Sequence, residues 1–140
     1  MISAVDTNVL LDVLMADERF MADSKSLLDE ACSEGALVIC EVVYAELACA
    51  FADRSRLRRF LQSTGIRLVP STEADPGMAG EAWRMQLSRA QRTTSAVRIA
   101  ADYMIGAHAL GHADRLLTRD VGFYRACYPG LALNWETAAN

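Results

Sequence analysis

Short apolar runs alternate with longer stretches of helical spacing along this chain. Ile2-Ser3-Ala4-Val5-Asp6 reads as a buried strand and Ala36-Leu37-Val38-Ile39 as a second. Ile66-Arg67-Leu68-Val69, closed by Pro70, reads as a third, and Arg115 to Thr118 as a fourth. Leu131-Ala132-Leu133, after Pro129-Gly130, reads as a short fifth. Helices are predicted between them: 7–15, then 19–34 with Leu27, Leu28 and Ala31 on one face and Gly35 as the stop. Further helices fall at 41–52 and at 54–63, the latter with Leu57, Phe60 and Leu61 inward. Ser71 or Thr72 caps a long helical region to about Arg92, with Pro76 tolerated in its first turns. Thr93 to Val97 is a break, and 98–110 a helix ended by Gly111. This order predicts an α/β domain with a mostly parallel sheet of four or five strands between helical layers. Functional groups in such folds gather at the carboxyl ends of the strands.

A length of 140 residues predicts one domain, 1–140, with a single core. Hydrophobic residues make up 52% and charged residues 23%, the balance of a soluble globular protein. No apolar run reaches the ~18 residues that span a membrane. Asp6 interrupts the N-terminus too early for a signal peptide, so a cytoplasmic protein is expected. Cys32, Cys40, Cys49 and Cys127 contain no C-x-x-C spacing and read as small apolar residues, not zinc ligands. The net charge of −4 speaks mildly against nucleic-acid binding. Yet 13 of the 14 basic residues are arginine, suited to bidentate phosphate contacts. They cluster at Arg54, Arg56, Arg58 and Arg59, and at Arg84, Arg89, Arg92 and Arg98. The plainer account of any one of them is a solvated helix face paired with a nearby acid.

Four acids change the picture. Asp6 ends the first apolar run, and Glu46 interrupts Val42-Val43-Tyr44-Ala45-Glu46-Leu47-Ala48. Asp102 interrupts Ile99-Ala100-Ala101-Asp102-Tyr103-Met104-Ile105, and Asp120 follows Leu116-Leu117-Thr118-Arg119. Ionised carboxylates in apolar surroundings are costly without positive charge nearby, and converging ones raise one another's pKa. A divalent cation removes both problems, and oxygen-only ligands favour Mg²⁺ or Mn²⁺. Topology brings the four together: two follow strand ends, and two lie in the early turns of helices that start at the same edge. Asp114 precedes its strand and falls at the opposite edge, about 13 Å from Thr118 at ~3.3 Å per residue. Asp12, nearly two turns down the first helix, reads as solvent-facing or paired. Each acid alone has a structural reading. Asp6 and Asp120 suit caps, Glu46 suits a buried arginine pair, and Asp102 suits an i−4 pair with Arg98.

The ordered motifs resemble the PIN domain family, closest to the VapC-like toxins of type II toxin–antitoxin pairs. Asp6-Thr7-Asn8-Val9-Leu10-Leu11-Asp12 is similar to its opening, and Val43-Tyr44-Ala45-Glu46-Leu47 to its second acidic motif. The stretch from Ala101-Asp102 to Ala109 is similar to the third, and Leu116 to Tyr124, around Asp120, to the fourth. The resemblance covers Ile2 to about Leu133. It implies a three-layer α/β/α sandwich and a Mg²⁺- or Mn²⁺-dependent endoribonuclease, commonly a homodimer inhibited by a small antitoxin. It implies that Asp6, Glu46, Asp102 and Asp120 are catalytic metal-binding acids, supported by Thr7, Asn8 and Thr118. Metal-activated water would leave 5′-phosphate and 3′-hydroxyl ends. Accessible, single-stranded or looped RNA suits such a site, with phosphates held by Arg98, Arg119, Arg84, Arg89 and Arg92. Phe20, Leu28, Phe51, Leu57 and Phe60 exceed what one core face requires and suit an antitoxin groove.

Rival readings fit less well. A housekeeping PIN nuclease and an inactive PIN-fold binding module share the fold. An aspartyl phosphatase needs a second aspartate at position 8, where Asn8 stands. A receiver domain needs an N-terminal acidic pair, which is absent. His108 and His112 have i, i+4 spacing, but the intervening residues lack the glutamate of a zinc protease, and Gly111 is expected to end the helix between them.

Overall fold

The computed structural model of the chain describes residues 1–89 and 100–136. Four strands form its sheet: β1 (Ile2–Val5), β2 (Ala36–Ile39), β3 (Arg67–Leu68) and β4 (Arg115–Leu117). Their spatial order is β3-β2-β1-β4, and every pair is parallel. Parallel strands need crossover connections, and helices supply them. These are α1 (Thr7–Leu14), α2 (Met21–Glu34), α3 (Glu41–Ala50), α4 (Arg54–Thr64), α5 (Ala74–Arg89), α6 (Ala100–His112) and α7 (Val121–Cys127). The result is a four-stranded parallel sheet flanked by seven helices among the described residues, an α/β/α sandwich.

Apolar runs became strands because central parallel strands are buried on both faces. Ala4, Val5, Leu37, Val38, Ile39, Leu116 and Leu117 are all buried. Val9 and Leu10 of α1, Val43 and Leu47 of α3, and Tyr103 and Ala107 of α6 close over them. Register pairs Val5 with Leu117 and Ile39 with Leu68, so the carboxyl ends of the strands lie along one edge. The Asp6 N–H donates to Leu117 O at 2.9 Å, which extends the β1–β4 ladder to the first acid.

Three expectations need correction. The fifth strand is reduced to one parallel bridge, Leu116 to Leu133. Pro129-Gly130 precedes it, and Asn134 turns the chain with φ of +54° just after it. Gly111 does not end α6, which continues to His112. A side chain at Gly111 would meet Asp75 Oδ1 at 2.8 Å, so the glycine admits a close approach of α5 instead of a stop. His108 and His112 therefore share one face, their rings stacked 4.6 Å apart. Their partners are not metal-like: His108 Nε2 meets Val69 O and His112 Nε2 meets Asp75 Oδ2, each at 2.6 Å. Finally, Val121–Cys127 is a helix the pattern did not reveal. The predicted break at 93–97, the start of the helix at Arg98 and its pairing with Asp102 lie outside the described residues.

Candidate active site at the carboxyl edge of the sheet

Asp6 follows β1 and is the N-cap residue of α1, in extended conformation, yet its side chain makes no capping bond. The carboxylate is 5% exposed and turns sideways to its neighbours. Thr118 Oγ1 donates to Asp6 Oδ2 at 2.7 Å, and Asn8 Nδ2 donates to the same oxygen at 3.3 Å. Thr118 Oγ1 in turn accepts the Asp120 N–H at 3.0 Å. One hydroxyl thus ties the first acid to the fourth. Thr7 Oγ1 donates to Glu46 Oε1 at 3.0 Å and ties the first acid's neighbour to α3. The three supporting residues read from the sequence all stand beside the acids.

Among the described residues every donor to Asp6 is neutral. Burial pushes its pKa above the ordinary carboxylate value, and the charge of Asp102 pushes the same way. The Thr118 and Tyr124 hydroxyls and the Thr7 N–H pull it back only in part. Tyr124 reports the same convergence from the other side. Its ring is fully buried, and its hydroxyl faces Asp6 without a hydrogen bond of ordinary geometry. Burial raises its pKa, and the charges of Asp6, Asp102 and Asp120 raise it further. Three of the four acids therefore act on one buried phenol. Tyr124 reaches this position because α6 has Gly106 opposite it, where a Cβ would lie 3.1 Å from the Tyr124 ring and 2.3 Å from that of Tyr128. The sequence reading missed Tyr124, and its only signal was a tyrosine four residues after Asp120.

A family comparison places this edge in context: residues 4–128 match the PIN domain. The chain belongs to the PIN domain family. Solved structures share the PIN fold along nearly the whole length. A chain of VapBC2 from Rickettsia felis bound to a DNA fragment from their promoter is 21% identical. The match covers 95% of this chain and 97% of that one, with a TM-score of 0.66. VapBC-1 from nontypeable Haemophilus influenzae is 22% identical, over 95% and 96%, with a TM-score of 0.67. FitAcB from Neisseria gonorrhoeae is 24% identical, over 95% and 96%, with a TM-score of 0.61. No curated protein is significantly similar to this chain.

The PIN acids fit a hard divalent cation by donor chemistry. They are oxygen donors, Asp6 is buried without a cationic partner among the described residues, and the buried Tyr124 hydroxyl faces it. Among the described residues no three His, Cys, Asp or Glu side chains are gathered as a finished ligand set. Asp6 is held by Thr118 and Asn8, and Glu46 by Thr7.

The arginines fall differently. Arg119 Nε donates to Asp12 Oδ2 at 2.6 Å and Nη2 to Oδ1 at 3.0 Å, while the guanidinium lies 4.0 Å above the Phe20 ring. Ser24 Oγ completes the arrangement by donating to Asp12 Oδ2 at 2.7 Å. Asp12 is thus buried and paired, and Arg119 is committed to a structural carboxylate more than to a phosphate. Its backbone N–H still serves the site by donating to Asn8 Oδ1 at 3.2 Å. Arg84 and Arg89 are exposed on α5, and Arg92 and Arg98 lie outside the described residues. Asp114 is at the opposite edge, where its Oδ2 accepts the Ile2 N–H at 2.6 Å.

Proposed function

We propose that this PIN domain protein is a Mg²⁺- or Mn²⁺-dependent endoribonuclease and the toxin of a toxin–antitoxin pair. Asp6, Glu46, Asp102 and Asp120 are assigned as the metal-binding acids. The observation that carries the assignment is the buried Asp6 carboxylate, which lacks a cationic partner among the described residues and shares a buried phenol with Asp102 and Asp120. Buried charges are retained without a partner mainly where function uses them.

The chemistry supplied when the cation is bound is neutralisation of charge at a phosphodiester oxygen and a lowered pKa for attacking water. The residues of the chain prepare the rest. Asp6 is held in one orientation by Thr118 and Asn8. Thr118 aligns Asp120 through its backbone N–H, and Thr7 aims Glu46. Tyr124 excludes water beneath the acids and offers a hydroxyl that can donate to them. No histidine takes part: the pKa of His108 is lowered by burial, and the two imidazoles are bound to Val69 O and Asp75 Oδ2, not to the four acids.

The toxin assignment draws on the folds of VapBC and FitAcB complexes and on a docking face of this chain. Leu57 belongs to the core, but Phe20, Leu28, Phe51 and Phe60 are half-buried. Leu28 and Phe60 line a groove of about 310 Å³ between α2 and α4, and Leu11, Leu14, Met15 and Phe51 line a second hollow. An antitoxin helix would fill these, and a basic residue of its tail would neutralise the acids. A homodimer is the expected oligomer. Cleavage of a mixed RNA pool with Mn²⁺, with and without EDTA, tests the activity. Cleavage unaffected by EDTA, or none with any divalent ion, overturns it.

A further inference from the structure

A hollow of about 490 Å³ adjoins the acids without containing them. It is lined by Phe20, Asp23, Ser26, Thr118, Arg119 and Trp135, among others. Its size lies in the range of small-ligand sites. Thr118 is shared: its hydroxyl holds Asp6, and the residue also forms part of the hollow's wall. A group seated here would therefore lie within one residue of the first acid.

Trp135 is 54% exposed, unusual for a residue type that buries most of its surface. It is nonetheless held firmly. Its predecessor Asn134 adopts φ of +54° and is pinned to β4 by three bonds. Asn134 N–H donates to Leu116 O at 3.0 Å, Thr118 N–H donates to Asn134 Oδ1 at 2.8 Å, and Arg115 Nη1 donates to Asn134 O at 2.9 Å. Its successor Glu136 caps the turn, accepting the Leu133 N–H at 3.0 Å and pairing with Arg125. The turn around a large exposed ring is fixed on both sides, and two hydrogen bonds through Asn134 and Thr118 connect it to Asp6. A core function does not account for this expenditure of structure on a solvent-facing indole.

We propose that this hollow is a nucleobase subsite for single-stranded RNA, in which one unpaired base stacks on Trp135 while its strand crosses the acids. The proposal rests on the nuclease reading for its position and on Trp135 for its chemistry. An aromatic face takes any unpaired base, and stacking is the common means of holding a single strand. Asp23 adds an acceptor. A carboxylate only accepts hydrogen bonds, so it takes an amino group of adenine, cytosine or guanine or the imide N–H of uracil, and the preference for adenine over uracil follows from the larger face that stacks. Arg119 lies over the Phe20 ring with its Nε and Nη2 already engaged by Asp12, so it is not a free phosphate ligand. The contact is therefore to a base and not to the backbone.

The chain has two tryptophans, and Trp83 is half-buried against Tyr103, so a Trp83→Phe background isolates the emission of Trp135. In that full-length protein, in Ca²⁺ to suppress cleavage, a single-stranded oligoadenylate should quench Trp135 saturably, and an oligouridylate more weakly. Trp135→Ala should weaken binding about 5- to 100-fold, the loss expected of one base–aromatic stack. Trp135→Phe should restore most of it. The salt dependence of binding should keep its slope, because no phosphate contact is removed. Unquenched Trp135 emission, wild-type affinity of Trp135→Ala, or a flattened salt slope overturns the subsite. So does quenching by an arginine-rich peptide with none by RNA, which would assign the hollow to a protein partner. The two readings fail separately. RNA cleavage by wild type without a Trp135 response removes the subsite and keeps the nuclease. A Trp135 response without cleavage in Mn²⁺ does the reverse.

Discussion

Two buried charges stand on the same pair of strands, β1 and β4, and are treated in opposite ways. Arg115 lies toward the amino edge, opposite Ser3 in the register. Each nitrogen of its guanidinium has a partner: Nε donates to Ser3 Oγ at 2.8 Å, Nη1 to Asn134 O at 2.9 Å and Nη2 to Glu34 Oε2 at 3.0 Å. Asp6 lies at the carboxyl edge, beside Thr118, roughly 10 Å along the strands at ~3.3 Å per residue. Among the described residues it has only neutral donors, and Asp102 adds a like charge. The first arrangement is what stability demands of a buried ion. The second leaves electrostatic cost in place, which a ligand of opposite charge relieves. The same contrast recurs along α1, where Asp12 has a bidentate arginine and Asp6, at the N-cap, has none among the described residues. Burial alone therefore does not single out an acid for the proposed site; burial without a compensating cation among the described residues does.

The largest expected effect comes from removing the uncompensated charge. Asp6→Asn keeps the shape and the Thr118 bond, so the fold should persist. RNA cleavage should fall by roughly 100-fold or more, since metal-borne charge stabilisation is worth several kcal/mol and each ~1.4 kcal/mol is tenfold. Asp114→Asn at the amino edge should leave cleavage unchanged. Equal behaviour of the two variants in a steady-state cleavage assay would erase the distinction between the edges.

Arg115→Met should do the opposite. Removing one partner of a buried pair costs about 3 kcal/mol, somewhat reduced here because Glu34 reaches solvent. Denaturant unfolding should register that loss, with Mn²⁺-dependent cleavage retained by the folded fraction. A wild-type midpoint would mean that Arg115 is not compensating a buried charge.

A third test adds the cation. Mn²⁺ at 10- to 100-fold above its dissociation constant should stabilise the protein by about 1.4–2.7 kcal/mol through mass action. The gain should shrink in Asp6→Asn and persist in Arg115→Met. Thermal melts measure it, and identical melts of the wild type with and without Mn²⁺ would remove the cation from the account. The pH dependence has a definite sign. Because the folded-state pKa of Asp6 is raised, folding takes up a proton between the ordinary value of 3.8 and the raised one. The ionised form thus destabilises the fold above that window, and the cost is relieved as pH falls through it. Asp6→Asn should abolish that component of the stability–pH curve.

Much of this contrast was legible in the chain before any coordinates. The apolar runs of β1, β2 and β4 are nearly continuous, as strands buried on both faces must be, and they placed Asp6 and Asp120 at one edge. Thr7, Asn8 and Thr118 were found as neighbours of the acids for the same reason. What the pattern hid was compensation. Asp12 and Arg119 are 107 residues apart, so no local spacing joins them, and Arg119 read as a phosphate ligand instead. Gly111 read as a helix stop because the approach of Asp75 from α5 is a tertiary fact. Leu131-Ala132-Leu133 has the composition of a strand, yet the left-handed Asn134 limits it to one bridge. The short helix α7, and Tyr124 within it, carried no periodic signal long enough to read.

The smallest expected effect sharpens the comparison most, because it alters how Asp6 is held without touching its charge. Thr118→Val keeps the volume but removes the hydroxyl, and with it the bond to Asp6 and the acceptor of the Asp120 N–H. Two part-buried hydrogen bonds at about 1 kcal/mol each suggest a loss of roughly 1–2 kcal/mol in stability. The more informative readout is the pH profile. The Thr118 hydroxyl is the strongest influence lowering the Asp6 pKa, so its removal should move that pKa further up. If cleavage requires ionised Asp6, the acid limb of kcat/KM should shift to higher pH in Thr118→Val. Thr118→Ser keeps a hydroxyl and should hold the wild-type limb. A limb that stays in place in both variants would mean that Asp6 ionisation does not govern the reaction, and the uncompensated charge at this edge would then need another explanation.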